Sequence, residues 1–284
     1  MTRRRYGSQP MDTMRRRGAR RACGVALALA AIWSLAGCSD DGDANAGDST
    51  STSTSTTEVD APEVEVWTGD AEAFYEPPDP LPDGSPGDLL RVQEVSRTDG
   101  EVTYRVMYLS TDSRDEPRPV TGILTHPTAD PPEEGWPVLV TAPGTVGMAP
   151  RCGVSRRGDP PPAFGVEGVR VLTDYIGMAA SGDRQAYLSR ASEGHSVLDA
   201  ARAARNLDGA GAGSRLLIFG HSQGGHGAQS GHELADDYAP ELELLGTVSG
   251  APAAVFDRTF GGIDDIVARI VATMSFYGAA TDHP

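Results

Sequence analysis

The chain has 284 residues, 39% of them hydrophobic, and a formal charge of −16 at pH 7. Of its 24 basic residues, all arginine, eight fall in residues 1–37 beside a single acidic one, which leaves 16 basic and 39 acidic residues, a charge of −23, for the remainder. A surface so acidic repels a phosphate backbone and excludes nucleic acid as a partner, while the length exceeds what one compact domain usually needs.

From Met14 the chain reads MRRRGARRACGVALALAAIWSLAGC, an arginine-rich start followed by an apolar run from Val25 and small residues before Cys38. The run is shorter than the roughly 20 residues that span a bilayer, so residues 1–37 are expected to be a secretory signal. The LAGC ending resembles the lipobox of bacterial lipoproteins, and the resemblance implies that Cys38 is acylated and anchors an exported protein to the membrane. The alternative is an ordinary secretory signal cleaved nearby. Residues 38–66, with SDDGDANAGDSTSTSTSTTEVDAPE, lack the apolar residues for a core and read as a low-complexity tether. As flexible coil, such a stretch would hold the next domain about 25 Å from the membrane. Cys23 would leave with the signal, so Cys152 is left either as a free thiol or as half of a bridge made elsewhere.

Residues 67–284 are expected to form one domain. DLLRVQEV, VTYRVMYLS and PVTGILTHP alternate as strands do, with Val102, Tyr104, Val106 and Tyr108 on one face, and predict an antiparallel start. WPVLVTAPG, GVRVLTDY, SRLLIFGHS and LELLGTVSG are short, nearly continuous apolar runs, the pattern of parallel strands buried on both faces. Between the second and third of these, SEGHSVLDAARAARNL puts Val197, Leu198, Ala201 and Ala204 on one side of a helix. Strand, helix and strand at this spacing make a βαβ unit, so the fold class is α/β, a mostly parallel sheet with an antiparallel start.

RLLIF, GHSQGG and HGAQSGHELADDY then read as strand, tight turn and helix. A serine in G-x-S-x-G at such a corner projects its hydroxyl above the carboxyl edge of the sheet, while Gly220 and Gly224 keep side chains out of the turn. The backbone N–H of Gln223, at a helix N-terminus, is placed to meet an ester oxyanion. The bland alternative is that Ser222 merely opens a glycine-rich turn.

Three stretches, TAPGTVGMAPRC at 141–152, VLTDYIGMAASGDRQAYLSRASEGHSVLDAARAAR at 171–205 and the GHSQGG elbow, together resemble the secretory lipases of the α/β-hydrolase superfamily over about residues 85–280. The resemblance implies the α/β-hydrolase fold, a carboxylic ester hydrolase acting on an acyl ester or lipid, and no cofactor or metal. It implies Ser222 as nucleophile and the loop at Gly144 and Thr145 as source of the second oxyanion N–H, assigned to Thr145; the alternative there is a simple type II turn after Pro143. Acyl-chain length and oligomeric state are not legible.

A serine nucleophile needs a histidine base and a carboxylate to orient it, in this fold in the order Ser, acid, His. His226 and His232 lie in the helix directly after the elbow and are expected to face solvent; His283 follows Asp282 near the end. The helical run Ile263, Ile266, Val267, Ile270, Val271 and Met274 is either the start of a cap, at 253–284, or a core helix. The chain is thus expected to be truncated before the family's last strands, acid and histidine. A non-catalytic, hydrolase-like surface protein is the alternative function, and a peptidase on the same fold would rest on the elbow alone.

Overall fold

The computed structural model describes residues 61–178, 180, 184–254 and 266–283. The signal region, Cys38 and most of the tether lie outside these residues, as does Ile263. Eight strands form one sheet in the order β1-β2-β3-β4-β6-β5-β7-β8. They are β1 Glu65–Val66, β2 Leu89–Arg97, β3 Glu101–Thr111, β4 Pro117–Pro127, β5 Trp136–Ala142, β6 Val169–Thr173, β7 Ala212–His221 and β8 Glu243–Gly250. β2, β3, β4 and β6 pair antiparallel in succession, whereas β6, β5, β7 and β8 pair parallel. This is the α/β sheet with an antiparallel start that the periodicities predict.

Helices α1 (Arg190–Asn206) and α2 (Gln223–Tyr238) cover one face. Val197, Leu198, Ala200, Ala201, Ala203 and Ala204 of α1 are all fully buried in the main core, against Val106 and Tyr108 of β3, Val138 and Val140 of β5, and Leu216 and Ile218 of β7. Burying a Val or Leu side chain contributes about 1.5–3 kcal/mol, and the alanines let the helix lie close to the strands. At Gly194 a Cβ would stand 2.6 Å from Leu234 Cδ1 and 3.0 Å from the Ser230 carbonyl carbon. A side chain there would separate the two helices, so this glycine sets how near the start of α1 comes to α2.

The antiparallel strands depart from simple alternation. Met107 and Leu109, on the face opposite Val106 and Tyr108, are also buried, because the 61–88 segment folds over that face and packs Phe74 and Tyr75 against them, beside Leu90 of β2. Alternation predicts one wet face; the covering segment removes it. β8 departs the other way. Its apolar run predicts burial on both faces, yet Leu245 is 50% and Val248 59% exposed, and Leu245 has no opposite number because the ladder skips from Leu244 to Gly246. Among the described residues β8 pairs only with β7.

Helix α3 (Ile266–Asp282) packs through small residues, Ala272 and Gly278, while Ile266, Val267 and Ile270 are more than half exposed. Helical periodicity is present as the sequence predicts, with Ile266, Val267 and Ile270 of the apolar stripe exposed and Val271 and Met274 half-buried.

Candidate active site

β7 ends at His221 and α2 begins at Gln223, so Ser222 alone makes the corner. Its backbone, at φ 59° and ψ −120°, lies in a region that L-residues other than glycine rarely enter, a strain of order 1–3 kcal/mol that surrounding contacts must hold. Two hydrogen bonds hold it: Ser222 N donates to Gly250 O at 2.9 Å, and Ser222 O accepts from His226 N at 3.1 Å. Close backbone approach dictates the glycines. A Cβ on Gly220 would collide with the carbonyl of Gly224, and one on Gly224 with the carbonyl of Ala142 at the end of β5.

That second contact brings the 143–145 loop to the elbow. Gly144 lies where a Cβ would be 3.2 Å from His221 O, and the space left between loop and elbow is a cavity of about 10 Å³, bounded by Pro143, Gly144, Tyr175 and Gln223. Thr145 is exposed at the top of the loop, with its hydroxyl hydrogen-bonded to Tyr187 Oη at 2.7 Å. Ser222, Gln223 and Thr145, three residues singled out in the sequence, therefore sit on two elements that converge.

The D-Y-I-G segment supports this loop from behind. Tyr175, fully buried, donates from its hydroxyl to Pro143 O at 3.0 Å. Asp174 accepts from Val154 N at 2.6 Å, Ser155 N at 3.3 Å and Thr121 Oγ1 at 2.6 Å, which holds the start of the short 3-10 turn Val154–Arg157. Burial raises the Asp174 carboxyl above its ordinary range, and these donors offset part of the rise. Cys152 is a free, half-buried thiol packed beside Gly147.

The histidines divide. His232 is exposed, as expected, and its Nδ1 lies 3.2 Å from Thr247 Oγ1. His226 is not solvent-facing: its side chain is 13% exposed and its Nδ1 lies 2.7 Å from Glu193 Oε2, a carboxylate with no exposure at all. Gly194 draws α1 and α2 close enough for this pair, a contact that helical position alone does not reveal. Glu193 Oε1 also accepts from Gln223 Nε2 at 2.8 Å and from Leu188 N at 3.0 Å. Local pattern does not mark Tyr187, and it marks Glu193 only as a carboxylate in the first turn of a helix capped by Ser189. His283 is 82% exposed, 3.7 Å from Asp282, and Asp282 is engaged with Ser189 Oγ at 2.9 Å. Among the described residues no histidine is hydrogen-bonded to the Ser222 hydroxyl, and no group of three or more His, Cys, Asp or Glu could hold a metal ion.

Comparison with known proteins agrees with this architecture. The family model described as secretory lipase matches residues 166–284. Lipase A of Moesziomyces aphidis is 33% identical over 79 residues, 28% of this chain and 17% of that protein. Among solved structures, Candida antarctica lipase A in its closed state superposes with a TM-score of 0.62 at 20% identity, over 74% of this chain and 53% of that one. The rice cell wall degrading esterase LipA from Xanthomonas oryzae superposes with a TM-score of 0.53 at 22% identity, over 62% of this chain and 53% of that one. The chain thus spans about half the length of these solved structures. Residues 166–284 thus match the secretory lipase family model, and the sheet has the α/β-hydrolase fold of these solved structures.

Proposed function

We propose that the protein is an exported, lipid-anchored carboxylic ester hydrolase that works through an acyl-enzyme on Ser222. The observation that carries this reading is the strained Ser222 corner at the end of a central parallel strand, with the 143–145 loop packed against it. In the proposed reaction Ser222 Oγ attacks the ester carbonyl carbon and loses its proton to a base. The carbonyl oxygen becomes an oxyanion held by the amides of Gln223 and Thr145. Collapse expels the alcohol, and water then attacks the acyl-enzyme and releases the acid. Each amide is worth about 10²–10³ in kcat if it lies 2.7–3.1 Å from the oxyanion.

An ester with an apolar portion fits the surroundings. A groove of about 680 Å³ runs between α3 and residues 187–191, lined by Leu188, Ala272, Phe276 and Ala279, and Tyr187 forms its wall on the side of Thr145. The fold's chain order calls for an acid and then a histidine after the serine, and no described residue is assigned either role here. Membrane attachment in this reading rests on acylation of Cys38, since no helix among the described residues is long and apolar enough to cross a membrane. The second reading, a non-catalytic hydrolase-like surface protein, is favoured by one observation: among the described residues no histidine is hydrogen-bonded to the Ser222 hydroxyl.

Labelling with a fluorophosphonate separates the two readings. The full chain is expected to be labelled at Ser222, with labelling lost in Ser222→Ala. A chain that resists the probe while remaining folded supports the non-catalytic reading instead.

A further inference from the structure

The two proposed oxyanion donors stand on different elements, Thr145 on the loop after β5 and Gln223 at the start of α2. The β5–β7 ladder and the Gly224–Ala142 approach bring the two elements together below these residues, while Thr145 itself lies further out along its loop. A third segment touches both. Tyr187, 3% exposed, meets the Thr145 hydroxyl at 2.7 Å. Six residues later, the fully buried Glu193 accepts from Gln223 Nε2 at 2.8 Å.

The intervening chain is itself held. Leu188 adopts φ 60°, which turns the chain sharply between the two contacts, and its amide returns to the same Glu193 oxygen at 3.0 Å. Ser189 caps α1 by accepting from Ser192 N at 3.3 Å and donates to Asp282 of α3 at 2.9 Å. Gly278 of α3 lies against the Tyr187 backbone, where a Cβ would be 2.9 Å from Tyr187 Cα. The second Glu193 oxygen is occupied by His226, which ties the carboxylate to α2 a second time.

We propose that residues 187–193 form a clamp that sets the spacing of the oxyanion donors, with Tyr187 and Glu193 as positioning residues for Thr145 and Gln223. The inference rests on the reading of those two residues as donors. Its physical basis is that both amides must reach one oxygen atom, so independent motion of the loop and the helix would leave one donor out of range. Displacements near 1 Å cost about 10²-fold in rate. A hydroxyl contact at one end and a buried carboxylate at the other remove that motion.

The test measures backbone ¹⁵N order parameters of the Thr145 and Gln223 amides in the full chain, together with the rate of fluorophosphonate labelling at Ser222. In the parent both amides should be rigid, near 0.85. Tyr187→Phe, which removes one oxygen, should lower Thr145 toward about 0.6 while Gln223 stays rigid. Glu193→Ala should do the reverse, and Glu193→Gln, which keeps an oxygen for Gln223 and Leu188, should restore Gln223. Labelling should slow about tenfold or more in Tyr187→Phe and Glu193→Ala, at an unchanged thermal midpoint for Tyr187→Phe. Unchanged order parameters at Thr145 in Tyr187→Phe overturn the clamp, whatever the labelling shows. If Glu193→Ala does not fold, Tyr187→Phe decides alone. Absence of labelling in the parent overturns the hydrolase reading, and the order parameters still decide the clamp.

Discussion

Gly224→Ala puts a single methyl group where the elbow meets the end of β5. The new Cβ would collide with the Ala142 carbonyl oxygen and lie 2.9 Å from the Ala142 carbonyl carbon and 3.0 Å from that of Pro143. All three atoms are backbone, at the end of a strand hydrogen-bonded on both sides to β6 and β7, so no flexible side chain can move aside. Overpacking of this kind costs about 1–3 kcal/mol, and the rigid surroundings place this site at the upper end. For a domain of this size about 3 kcal/mol corresponds to a fall of roughly 6–12 °C in the thermal midpoint. Relief of the collision moves the 143–145 loop away from Ser222 by the order of 1 Å, so fluorophosphonate labelling should slow about 10²-fold. The control is Gly100→Ala, where a Cβ meets nothing within 4 Å and stability should stay within about 1 kcal/mol of the parent. Differential scanning fluorimetry reads the midpoints. If Gly224→Ala melts within 2 °C of Gly100→Ala, which is about the effect of 1 kcal/mol or less, the close approach of loop and elbow is not a constraint and the reasoning fails.

Two further outcomes follow from burial. Asp199 is fully buried beneath Ser110, Arg202 and Tyr238, and burial, partly offset by those partners, pushes its carboxyl from 3.8 up to about 6. The native state therefore binds the proton more tightly than the unfolded one, so this group's contribution to stability falls as pH rises from about 4 to about 6, by about 3 kcal/mol at most. Asp199→Asn should remove that fall, and parallel stability profiles for parent and variant across this range would refute the assignment. On β8, Leu245→Lys and Val248→Lys place charges on exposed apolar positions of a strand paired on one side. They should leave stability within about 0.5 kcal/mol and reduce aggregation measured by light scattering; a loss of several kcal/mol would mean these side chains are covered.

Local rules made most of the architecture legible. Strand and helix periods are visible within windows of ten residues, and a backbone corner that tolerates only glycine on either side of a serine announces itself in six, so β2 to β8, α1, α2 and the Ser222 elbow follow from the sequence alone. What the sequence could not supply is where separate segments return to one another. His226 and Glu193 are 33 residues apart, and Tyr187 and Thr145 are 42 apart. Their meetings depend on how closely α1 lies against α2 and on how far the β5 loop leans over the elbow. The same limit explains β3, whose second face is buried by the segment that precedes β2, and α3, whose apolar stripe has the right period yet is largely exposed. Period reports which residues share a face; only tertiary packing decides whether that face finds anything to cover it.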